Sequence, residues 1–214
     1  MKYITQILVV AALGIAGCNS TEQAETLPTT ASSSSGTSTP SEGSGPSEGS
    51  GGLAISSENA MIGFKGSKPD GSSHSGGFKD FSGTVALDEA TGAVSSIRVT
   101  IQTDSLFSDA DRLTSHLKNV DFFNVNEFPT AEFTTTSITA ADGQPGQFTV
   151  KGQLTLLGKT ADVELPATIS TDAGNVTLES QFNLDRTKFG MNYGTEKNEI
   201  NADVEMTIAI GRTE

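Results

Sequence analysis

The sequence predicts an all-β domain: an eight-stranded antiparallel sheet closed into a barrel, with one short helix in a connection. Three observations predict it. Apolar residues alternate with polar ones at period two through much of residues 53–214, glycine-bearing turns punctuate them at short intervals, and only one stretch has helical spacing. Such short connections suit hairpins and leave no room for the crossovers that parallel strands need.

Taken in chain order, weak alternation at Ala60 to Phe64 and Phe81 to Leu87 marks the first two strands, with Gly71-Ser72-Ser73-His74-Ser75-Gly76-Gly77 read as a loop between them. Ile97, Val99 and Ile101 then share one face, opposite Arg98, Thr100 and Gln102. The helical stretch follows, with Ser108 as its cap, Asp109 and Asp111 at its positive end, and Ala110, Leu113, Leu117 and Val120 at helical spacing. Four more strands follow Pro129 before the last one. They are Ala131 to Phe133, then Phe148, Val150, Leu154 and Leu156 around Gly152, then Ala161, Val163, Leu165, Ala167 and Ile169, then Val176 to Leu184. A last strand aligns Ile200, Ala202, Val204, Met206, Ile208 and Ile210. Thr91-Gly92, Asp142-Gly143, Leu157-Gly158 and Ala173-Gly174 supply the turns. Pro166 interrupts an apolar run and belongs at an edge or a bulge. Eight strands with one apolar face close into a barrel whose interior is either filled or holds one small ligand.

The residues before this domain read differently. Lys2, an apolar run from Ile7 to Ile15 and the small residues of Ile15-Ala16-Gly17 lead to Cys18, the only cysteine of the chain. This resembles a bacterial lipoprotein signal peptide, so residues 1–17 are set apart from the fold. The resemblance implies that Cys18 is lipidated and becomes the mature N-terminus, anchoring the chain to a membrane. Asn19 after the cysteine points to the outer membrane, facing the periplasm. Residues 18–52 form a tether: of the 34 residues from Asn19 to Gly52, 25 are Ser, Thr, Gly or Pro, and no core can form there. A flexible coil of that length spans roughly 30 Å. Within it, Gly45-Pro46-Ser47-Glu48-Gly49 matches a hydrolase pattern literally but has neither the strand before it nor the helix after it that the chemistry needs.

A net charge of −13 excludes nucleic acid as a partner, because the phosphate backbone is bound by a basic face. One cysteine excludes an internal disulfide, and two histidines exclude a His-rich metal centre. Asp109-Ala110-Asp111 lacks the glycine and later glutamate of a calcium loop. No nucleophile with a base, and no paired acid and base, assembles from the residues, so the chain reads as a non-enzyme without a cofactor. Arg186 beside Asp185 reads as a surface ion pair, with contact to a polar ligand head as the alternative. Phe122, Phe123, Phe128 and Phe133 either ring a channel mouth or pin the helix onto the barrel, and pinning is the favoured reading.

Four stretches together resemble the YceI-like family of bacterial periplasmic proteins: His116-Leu117-Lys118-Asn119-Val120-Asp121-Phe122-Phe123, Phe128-Pro129-Thr130-Ala131-Glu132-Phe133, Gly152-Gln153-Leu154-Thr155-Leu156-Leu157-Gly158-Lys159, and Leu184-Asp185-Arg186-Thr187-Lys188-Phe189-Gly190-Met191. The resemblance runs across nearly all of Leu53 to Gly211. It implies a lipocalin-like barrel whose apolar channel takes an isoprenoid or another long-chain amphiphilic lipid. The aligned aliphatic faces then nominate the lining: Ile97, Val99, Ile101, Phe148, Val150, Leu154, Leu156, Val163, Leu165, Val204, Met206 and Ile208. The competing expectation is a surface-displayed structural or adhesive β-module without a ligand. Pairing with a second copy of the chain is compatible with either reading.

Overall fold

A computed structural model describes residues 52–211; the segments expected to be a signal peptide and a tether, Gly52 excepted, lie outside the described residues, as do residues 212–214. The elements in order are β1 (Gly52–Ser56), β2 (Ala60–Ser67), β3 (Ser73–Phe78), β4 (Phe81–Leu87), β5 (Val94–Gln102), β6 (Leu106–Ser108), α1 (Asp111–Leu117), β7 (Thr130–Ala140), β8 (Gln147–Leu156), β9 (Lys159–Asp172), β10 (Asn175–Asp185) and β11 (Asp203–Ile210). All pairings are antiparallel, in the order β1-β4-β5-β7-β8-β9-β10-β11-β2-β3-β6.

Eleven strands stand where the pattern predicts eight. One of the additions, β1, is a short strip beside β4 whose alternation is too brief to register. The others come from a bent hairpin. Phe81 pairs with Ile101 before the bend and Phe78 with Leu106 after it, while Lys79 N–H to Ser105 O (3.2 Å) and Gln102 N–H to Asp80 O (3.0 Å) carry the ladder around the corner. Chain continuity therefore makes β3–β4 one stave and β5–β6 another. β1 and β2 lie one after the other along the β3–β4 stave and count as one, and because β3 lies beside β2 while β5 lies beside β7, the sheet returns on itself as a ring of eight staves. His74 consequently lies in β3 and not in a loop.

Side chains on one face of each stave fill the interior. Val85, Val150, Val176 and Leu178 are almost completely buried, and Ile55, Ile62, Ile97, Leu165, Ile169 and Ile210 join them. The turns explain the register. Leu157 and Gly158 (φ 53° and 68°) and Ala173 and Gly174 (φ 47° and 84°) both put two consecutive residues at positive φ, the twist that two-residue hairpins require. Gly152, mid-strand in β8, is explained by close approach: a Cβ there would stand 2.5 Å from the Phe133 ring.

The helix departs from expectation in its details. It covers seven residues, its cap position is Ala110, and Ser108 ends β6, where its hydroxyl is bonded to that of Thr114 (2.9 Å). Val120 lies beyond the helix and is 76% exposed. Asp109 turns back to β3, accepting the Ser75 N–H (3.0 Å) and meeting His74 Nδ1 (2.9 Å), which holds its carboxyl below the usual aspartate range. The two long connections, 109–129 and 186–202, leave from the same end of the barrel as the β2–β3 and β8–β9 turns, and they build its rim.

Candidate functional site

The interior is filled at one end and hollow toward the rim. A cavity of about 200 Å³ lies under the rim and a second of about 100 Å³ lies deeper. Ile101, Leu154, Leu184 and Met206 belong to the walls of both and mark a waist in one channel. These four come from β5, β8, β10 and β11, so inward parity on widely separated strands brings them together. Inward-pointing Val99, Ile101, Leu154, Val163, Phe182, Leu184, Met206 and Ile208 remain partly accessible, as residues facing a hollow do.

Of the residues nominated from sequence, Ile97, Val99, Ile101, Val150, Leu154, Val163, Leu165, Met206 and Ile208 line the deeper chamber. Leu156 and Val204 line the outer one. Phe148 lines neither and is a correction: it shares their face, but sits near the far end of β8, packed against the filled core. Ile200 faces the outer chamber from the rim connection, ahead of β11, and Ala202 also precedes the strand.

The rim supplies the wall residues that alternation did not reveal. Leu113 and Leu117 of α1, Phe122 and Phe123 after it, Phe64 and Phe78 of the first staves, and Met191 close the outer chamber. Helical spacing had shown Leu113 and Leu117 to be apolar on one side, but not where that side points. The phenylalanine group divides between roles: Phe122 and Phe123 are chamber wall, Phe133 lines the deeper chamber over Gly152, and Phe128 packs against Gly158 in the β8–β9 turn. Around Phe122, His116 and Tyr193 form a triangle of rings with centroids 5.1 to 5.2 Å apart. Polar residues of the outer chamber are Ser67, Lys68, Ser72, Ser73 and His74 at the opening and the buried Arg186 in the wall.

Arg186 overturns the surface ion-pair reading. It is 4% exposed, and among the described residues it has no carboxylate partner within salt-bridge distance. Its guanidinium donates instead to the backbone carbonyls of Met191 (Nη1, 2.6 Å), Tyr193 (Nη2, 2.8 Å) and Asn201 (Nε, 3.1 Å), with the Phe122 ring centroid 5.9 Å away. Burial pulls its pKa down, and adjacent Asp185 partly opposes that. Asp185 accepts from Thr187 Oγ1 (2.6 Å) and N–H (3.0 Å), which hold its own carboxyl below the usual aspartate range. The arginine thus ties both ends of the 191–201 segment to the end of β10. A buried charge satisfied by carbonyls has no signature in a single sequence, because an arginine in a turn ordinarily reads as solvated.

A closed antiparallel β-barrel with an apolar channel and a polar rim defines a class of small-molecule-binding barrels. Comparison with known proteins narrows the class. Residues 53–211 match the YceI-like domain, and the chain belongs to the YceI-like family. It is 40% identical over 92 residues to the protein YceI of Shigella flexneri, a match covering 43% of this chain and 47% of that protein. A UPF0312 protein of Pectobacterium atrosepticum is 32% identical over 139 residues, 63% of this chain and 71% of that one. The chain thus spans about half the length of the first curated relatives it matches. Among solved structures, BcnA of Burkholderia cenocepacia superposes with a TM-score of 0.62 at 21% identity, covering 72% of this chain and 96% of that one. A polyisoprenoid binding domain from Saccharophagus degradans gives 0.59 at 13% identity, covering 77% and 100%. At these identities the likeness is one of fold.

Proposed function

We propose that this chain binds and carries a long-chain apolar lipid of isoprenoid type in its barrel channel, without a catalytic step. The observation that carries the reading is the two-chamber channel, whose walls below the rim are aliphatic and aromatic from eight different strands. The solved domain from Saccharophagus degradans, described as polyisoprenoid binding, supports the same ligand class. Each methylene moved out of water contributes roughly 0.8 kcal/mol, so about ten of them offset the cost of association. Selectivity for a chain follows from the shape, because the waist admits a narrow molecule between apolar side chains, and the buried donors of Arg186 are engaged by backbone carbonyls. The polar rim is where a head group stays in contact with water.

Native mass spectrometry of the purified chain tests this directly. A co-purifying apolar adduct that organic extraction removes is the expected result; protein that is bare from every host and takes up no chain lipid added to it defeats the reading.

We also propose that Cys18 is lipidated and holds the barrel at the outer membrane, facing the periplasm, with the Ser/Gly-rich tether letting it stand off the headgroups. The sequence of residues 1–18 supports this. Cys18→Ala is expected to move the protein from the membrane fraction into the soluble periplasmic one, and persistence at the membrane after that change speaks for a different attachment.

A further inference from the structure

We propose that the channel has a side entrance, a slit between β9 and β10 through which a long apolar chain slides into the barrel without passing the rim; the proposal rests on the lipid-binding reading above. The β9–β10 ladder begins at the hairpin turn and stops at the Glu179–Thr168 pair, although both strands continue toward the rim. Beyond it, Lys159 to Ala167 pair only with β8, and Ser180 to Asp185 only with β11. The unpaired part of β10 is six residues, roughly 20 Å of strand.

Pro166 gives the cause. Its carbonyl accepts the Ser180 hydroxyl (2.6 Å), so its backbone faces β10, and the nitrogen on that side is the one that carries no hydrogen. The reciprocal pair that would place Pro166 opposite Gln181 lacks a donor, and a side chain occupies the remaining acceptor. Proline on this side of β9 ends the ladder where the hollow half of the barrel begins. The deeper chamber is walled on one bank of the slit by Val163 and Leu165 and on the other by Phe182 and Leu184, so the channel reaches the slit from inside. The rim is the harder route. Helix α1 and the 191–201 segment stand over it, the latter held by the three Arg186 bonds, and Lys68, Ser72 and His74 line the opening. An end-on chain would have to pass beneath these tied segments and through a polar-lined opening, whereas a lateral one meets the apolar side chains of the two banks.

The test measures entry rate with the polyene fatty acid cis-parinaric acid, which fluoresces when it leaves water. In the full chain with Cys18→Ser, Val163→Cys and Leu184→Cys are bridged across the slit by a short bis-maleimide. Leu165→Cys with Phe182→Cys is the second slit pair, should the first impair folding. His116→Cys and Tyr193→Cys, whose native rings lie 5.1 Å apart, are bridged across the rim in a separate variant. Each variant is compared by stopped flow before and after bridging. Slowing of about ten-fold or more on bridging the slit, with a change under about two-fold on bridging the rim, is the expected result. A rim bridge that slows entry as much as the slit bridge or more, or a slit bridge without effect, overturns the side entrance. Absence of any fluorescence gain with the unmodified protein instead removes the lipid-binding reading beneath it.

Discussion

Arg186→Ala is expected to lower the unfolding free energy by about 3 kcal/mol or more, read as a large drop in the urea midpoint. The wild-type guanidinium makes three charge-assisted bonds to carbonyls that have few other ways to be satisfied inside the rim. Removing one partner of a buried hydrogen bond costs the desolvation of the other, about 1–3 kcal/mol for each group. The total falls short of three full penalties because Tyr193 is 44% exposed, so water reaches part of the released segment. Hydrogen exchange should accelerate first across residues 191–201, since that segment loses its tie while the ladders keep theirs. Arg186→Lys should recover little of the loss: an ammonium is one point of charge, and the three carbonyls are met by three separate nitrogens of a planar fork. Stability unchanged within about 0.5 kcal/mol would mean that the segment is held by its apolar contacts alone, Met191 above all.

The barrel and most of its channel were legible in the sequence because both follow from one periodicity. Once Ile97, Val99 and Ile101 or Val163 and Leu165 share a face, their burial and their place on the channel wall are the same fact. Phe148 marks where that logic ends, since parity gives the direction in which a side chain points but not its height along the barrel. The bend at Lys79–Asp80 and Thr103–Ser105 was not legible either. It depends on tertiary bonds, such as Thr103 Oγ1 to the Phe128 carbonyl (2.7 Å) from a segment 25 residues away in sequence. The rim is illegible for a related reason. Its walls are assembled from a seven-residue helix and two irregular connections, whose side chains acquire a direction only when Arg186 and the aromatic triangle fix them. Pro166 is the intermediate case: the sequence placed it at an edge or bulge, and the structure adds that the edge it makes lies inside the ring, between β9 and β10.

Leu154→Asp is expected to cost about 3 kcal/mol at neutral pH and to abolish uptake of an apolar chain, because Leu154 stands at the waist between the two chambers. A carboxylate there faces Ile101, Leu184 and Met206, and the nearest polar groups are at the rim. Burial without a partner raises the pKa of the new carboxyl in the folded state above its unfolded value of about 3.9. The sign of the pH dependence follows: folded protein binds the proton more tightly, so the charge-dependent part of the penalty is absent below the unfolded pKa. It grows as pH rises through that value and levels off above the folded one. Unfolding curves of the variant and the parent at pH 3.5, about 5 and about 7 should therefore diverge progressively, with the acid end included only while both remain cooperative. Leu154→Asn, similar in size and without a titrating charge, should show a smaller penalty that does not change over the same range. Equal penalties at every pH for both substitutions would mean that water already fills the waist, and the channel would then be a hydrated cleft unsuited to an apolar chain.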